Sequence, residues 1–75
     1  MEKGKQACIK FLERNGFLKM ELNSYANSTC NIVFDDSDVM TVAENDGSHF
    51  FMNANIYTLI GWLTYYRHIS RNYNV

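Results

Sequence analysis

Asn53-Ala54-Asn55-Ile56-Tyr57-Thr58-Leu59-Ile60-Gly61-Trp62-Leu63-Thr64-Tyr65-Tyr66 is the stretch that decides the architecture. Ile56, Leu59, Ile60 and Leu63 repeat at the spacing of one helix face, and no proline interrupts them, so an amphipathic helix is predicted over about 55–69. Asn53 or Asn55 can cap it by accepting a bond from a free N–H of the first turn. Trp62, Tyr66 and Ile69 widen the apolar stripe to nearly half the circumference, while Tyr57 and Tyr65 fall outside it. Such a helix buries one face against another layer and has aromatic area left over.

Working back toward the N-terminus, Asn45-Asp46-Gly47-Ser48 is a strong hairpin signal, because Asn or Asp before Gly tolerates the positive φ of tight turns. Strands are predicted on either side of it, at about 39–43 and 48–52. Cys30-Asn31-Ile32-Val33-Phe34 is β-branched and aromatic, and Asp35-Asp36-Ser37-Asp38 closes it with turn residues. Phe17 to Leu22 alternates as a further strand would, and the amide-rich 23–29 stretch reads as a loop into which Tyr25 could extend a strand. Residues 5–15 place Cys8, Phe11 and Leu12 on one helix face, with Asn15-Gly16 as the stop. The expectation is a single α+β domain over 1–75: a three- to four-stranded antiparallel meander covered on one face by an N-terminal and a C-terminal helix.

The chain has 75 residues, a net charge of -1, 47% hydrophobic and 15% aromatic residues. That composition excludes a disordered chain. It also exceeds what so small a core encloses easily, which favours a homodimer or an unidentified protein partner. Five bases and three acids stand in 1–22, five acids and no Lys or Arg in 23–55, and two arginines in 56–75. The acids fall at predicted turns and read as a solvated rim. Two cysteines make no disulfide scaffold, the N-terminus has no signal-like apolar run, and no stretch is long enough to span a membrane. A cytoplasmic, reduced protein is expected.

Chemistry-bearing motifs are sparse. Cys8, Cys30, His49 and His68 lack the close spacing by which one turn offers two ligands to zinc, and Asp35-Asp36-Ser37-Asp38 lacks the glycine and terminal bidentate acid of a calcium loop. Phosphate loops, serine elbows and paired carboxylates are absent from the pattern, so neither an enzyme nor a cofactor or metal is expected. Tyr57, Trp62, Tyr65 and Tyr66 are the candidate partner-binding residues, with aromatic area that suits self-association or protein binding; the plain alternative has Trp62 and Tyr66 lapping over the sheet edge. Gly61 leaves a flat spot between Tyr57 and Tyr65, read as relief of crowding in preference to the approach of another backbone.

Arg67, His68 and Arg71, with the lysines of helix one, are the candidates for an alternative nucleic-acid surface. The helix-sheet-helix order resembles the double-stranded-RNA-binding domain, but that family's basic cluster at the start of its second helix is replaced here by Asn53-Ala54-Asn55-Ile56-Tyr57. In texture, from Phe11-Leu12-Glu13-Arg14-Asn15-Gly16-Phe17 through the acidic hairpin to Asn55–Tyr65, the chain resembles small uncharacterised proteins of bacterial phages and mobile elements. That resemblance implies a stand-alone accessory protein acting by binding.

Overall fold

The computed structural model describes residues 2–74. The order is α1 (Glu2–Arg14), β1 (Leu18–Glu21), β2 (Ser24–Ala26), β3 (Cys30–Phe34), β4 (Val39–Glu44), β5 (His49–Asn53) and α2 (Ile56–Tyr65). The five strands form one antiparallel meander in the order β1-β2-β3-β4-β5. The α+β class is as expected, with both helices on one face, but the sheet has five strands instead of three or four. The additional strand is β2, inside the stretch expected to be a loop.

Local chemistry explains β2. Asn23 adopts φ 66, the left-handed conformation that asparagine tolerates, and turns the chain so that Ser24 pairs with Glu21. Beyond β2, Asn27 Oδ1 accepts bonds from the Thr29 N–H (2.8 Å), the Thr29 hydroxyl (2.8 Å) and the Cys30 N–H (3.0 Å). One amide oxygen thus organises the turn into β3. The polar composition that resembles a loop is the composition of two tight turns flanking a three-residue strand.

Period-two alternation sorts the sheet into two faces. Tyr25, Ile32 and Val42 are registered neighbours on the helix side, as are Phe34 and Met40, and all five are buried. Cys8, Phe11 and Leu12 of α1 and Leu59, Trp62 and Leu63 of α2 close over them in one core. α1 stops where Gly16, at φ 86, lets the Phe17 N–H reach the Leu12 carbonyl (3.0 Å). Near the start of α1, a β-carbon on Gly4 would run into the Ala54 carbonyl oxygen, so glycine sets how closely α1 approaches the β5–α2 connection.

The opposite face is bare. Its registered rows are Glu21, Ser24, Val33, Thr41 and Phe51, then Leu18, Ala26, Asn31, Ala43 and His49. Glu21 is the one formally charged residue in these rows.

α2 begins as expected, with Asn55 Oδ1 accepting from the N–H groups of Tyr57 (2.9 Å) and Thr58 (3.1 Å). It ends at Tyr65, short of the expected 69. Arg67 takes φ 60, and the N–H groups of Arg67 and His68 return to the carbonyls of Thr64 (3.2 Å) and Leu63 (2.8 Å). This is a Schellman closure made without glycine, which is why no local sequence signal marks it. It reverses the chain and carries His68 back under Trp62.

Candidate functional site

The outer surface of α2 presents Tyr57 and Tyr65, which are 80% and 78% exposed. With Gly61 midway between them they form one row at four-residue spacing. A β-carbon added at Gly61 would meet nothing within 4 Å, so the crowding that glycine was expected to relieve does not exist. Beside the row lies a groove of about 490 Å³ lined by Gly61, Thr64, Tyr65, Arg71 and Tyr73. It is open, mostly apolar at its floor, and has one cation at its rim.

The other expected aromatic anchors divide. Tyr66 is exposed and sets its ring against Tyr65, edge-on at 4.9 Å, and against Trp62 at 5.6 Å. Trp62 is only 9% exposed and belongs to the core, with its indole N–H buried without a partner. In the free chain Tyr57, Tyr65 and Tyr66 are exposed, and Trp62 lies against Tyr66. Its ring lies over the imidazole of His68, centroids 4.7 Å apart and 29° from parallel.

His68 is the residue whose place composition did not disclose. Its side chain is 6% exposed, with Nε2 3.1 Å from Glu44 Oε1 and Nδ1 2.9 Å from Thr29 Oγ1. Its carbonyl accepts from Asn27 Nδ2 (3.0 Å). Both ring nitrogens are therefore spent inside the protein, and His68 is not presented to a phosphate. Arg67 and Arg71 are exposed but differ in setting: Arg67 forms the helix-ending turn, and Arg71 rims the groove. No local signal would reveal the His68 cluster, since Thr29 and Glu44 stand 39 and 24 residues away.

Burial pushes both the Cys8 and Cys30 thiols up to about 11, so they are protonated at neutral pH and behave as small apolar groups. The Ser37 hydroxyl and N–H hold Asp35 below the usual aspartate range, and the Ser48 N–H and hydroxyl do the same for Asp46. Both acids are turn-formers. Among the described residues no group of three or more His, Cys, Asp or Glu is placed to hold a metal ion, and no helix is long and apolar enough to cross a membrane.

Comparison of the chain with protein-family models, with curated proteins and with solved structures gives no match.

Proposed function

We propose that this chain is a non-enzymatic protein-binding module that seats a segment of its partner across α2 at Gly61, between Tyr57 and Tyr65. The observation that carries the reading is the combination at Gly61. Glycine inside a helix costs about 1 kcal/mol relative to alanine, and nothing in the surrounding fold needs the missing β-carbon. A backbone crossing the helix from outside would need it. The two tyrosines flanking that point offer large, rigid contact area at low rotamer cost, and Arg71 adds a cation beside them for an acidic or carbonyl-rich segment.

A non-catalytic role agrees with where the reactive groups sit: the thiols are buried and protonated, and His68 is committed at both nitrogens. It also agrees with the texture shared with phage and mobile-element proteins, whose small accessory proteins are expected to act by occupancy. The test places a photo-crosslinking residue at Tyr65 and compares the wild-type background with Gly61→Leu in bacterial cells. A crosslinked partner that disappears with Gly61→Leu, while circular dichroism stays native, supports the reading. Identical crosslinks in both backgrounds would overturn it.

A further inference from the structure

The two edges of the sheet differ in kind. β1 carries Lys19 and Glu21 and breaks register between them, the features by which an edge resists pairing. β5 has none of these protections. His49-Phe50-Phe51-Met52-Asn53 contains no Lys, Arg, Asp, Glu or Pro and pairs with β4 in unbroken register over all five residues. Phe51 is 70% exposed and Phe50 43%. Adjacent strand residues point to opposite faces, so apolar area projects from both sides of the same edge.

The register of β4 and β5 fixes which backbone groups are open. The Glu44 N–H donates to the Ser48 carbonyl (2.8 Å) and the Ala54 N–H to the Asp38 carbonyl (2.6 Å). In an antiparallel ladder the bonded pairs alternate, so Phe50 and Met52 face β4, and the N–H and C=O groups of His49 and Phe51 face away from it. Among the described residues, no bond from another element reaches those outward groups.

We infer that β5 pairs antiparallel with β5 of a second copy of this chain about a twofold axis through Phe51, giving a ten-stranded sheet with both helix layers on the same side. Only a register that places odd-numbered residues opposite one another joins outward groups to outward groups, and the one centred on Phe51 spans the whole strand, with the Asn53 carbonyl at its end already accepting from the Asn55 N–H (2.8 Å). Phe51 then meets Phe51 of the other copy on the bare face, Phe50 meets Met52 on the helix side, and His49 meets Asn53. Each contact is self-consistent and no like charges oppose. A second copy is favoured over a foreign strand because this sequence complements its own reversal. The protected β1 edge also disfavours head-to-tail growth, so association closes at two. The strands bury only about 800 Å² in total, in the range of weak and transient interfaces, so the dimer is concentration-dependent. This inference does not rest on the α2 reading, since the two surfaces are separate.

The test uses the full chain in three forms. Sedimentation or light scattering of wild type at increasing concentration is expected to show a mean mass rising from 8.8 kDa toward twice that value. Phe51→Lys is expected to stay monomeric, as is Phe51→Glu, and mixing the two restores the dimer because each charge faces its opposite. Phe51→Cys is expected to form a covalent dimer under mild oxidation, since opposed bonded pairs have Cα atoms about 5.5 Å apart, within disulfide reach. Cys8 and Cys30 are buried and do not compete. Wild type that stays monomeric at millimolar concentration would overturn the inference. So would Phe51→Cys crosslinking no faster than Tyr57→Cys, or a dimer that survives Phe51→Lys and is lost with Tyr57→Ala.

Discussion

Asn15 and Asn74 grip each other through two bonds: Asn15 Nδ2 donates to the Asn74 carbonyl at 2.7 Å, and the Asn74 N–H donates to Asn15 Oδ1 at 2.8 Å. One side-chain amide thus reads the tail's backbone as a neighbouring strand would. The same Nδ2 also donates to the Phe11 carbonyl at 2.8 Å, and Tyr73 sets its ring edge-on to Phe11 at 5.6 Å. Tyr73 and Asn74 are thereby fastened to the end of α1.

Asn15→Ala removes that grip while leaving the Gly16 turn intact. We expect amide protection of residues 72–74 to drop at least tenfold in hydrogen exchange, with global stability lower by about 1 kcal/mol. Unchanged protection would mean that Tyr73 against Phe11 and the Asn74 Nδ2 bond to the Arg14 carbonyl (3.4 Å) suffice to hold residues 72–74.

His68→Ala deletes two side-chain bonds and the surface on which Trp62 rests, and leaves Glu44 Oε1 without the imidazole beside it. The expected loss is about 2–3 kcal/mol. Urea denaturation would measure it, and Trp62 emission would shift to the red in the native state. Thr29→Val removes one of these two bonds and also the Thr29 hydroxyl's bond to Asn27 Oδ1, but it keeps the Glu44 contact and the surface under Trp62, so it should lose less.

Two glycines should respond in opposite directions. Gly61→Ala is expected to stabilise the chain by about 1 kcal/mol through helix propensity, because its β-carbon enters open space. Gly4→Ala should destabilise it, because the obstruction is the Ala54 backbone, which moves only with the start of α2. Thermal melts of the two variants decide the matter.

Acidification should weaken the two Asx turns. Asp35 and Asp46 have folded values below their unfolded ones, so their contribution is present above the unfolded value and is lost as pH falls through the folded one. The melting temperature is therefore expected to decline below about pH 4. Asp35→Asn with Asp46→Asn keeps the acceptor oxygens without the charge and should flatten that decline. An equal decline in the double variant would assign the acid sensitivity elsewhere.

Native Cys8 and Cys30 should resist alkylation at pH 8 and react fully in denaturant, as burial of both thiols requires. Fast labelling of either under native conditions would show that α1 or β3 opens locally.

What was legible in the chain was whatever local chemistry encodes. Asn55 and the 56–63 spacing announced α2, Asn45 to Ser48 announced the last hairpin, and Gly16 announced the end of α1. What was not legible depended on partners distant in sequence or on conformations that residue type does not mark. β2 exists because neighbours pair with both its edges, and its single buried residue, Tyr25, makes no pattern. Arg67 ends α2 in a conformation usually left to glycine, and His68 has meaning only beside Thr29 and Glu44. Phe50 and Phe51 are adjacent in a strand, so one of them must project from the face without helices.

The meander also bears on how the chain reaches this state. Every ladder joins strands that are consecutive in sequence, so each hairpin can zip with a short loop to close, and folding of the sheet should be fast. The bonds across the longest separations join Arg14 and Asn15 to Asn74, and Asn27 to His68. During synthesis the sheet can assemble as it emerges, while these latches must wait until residues 68 and 74 have emerged in turn.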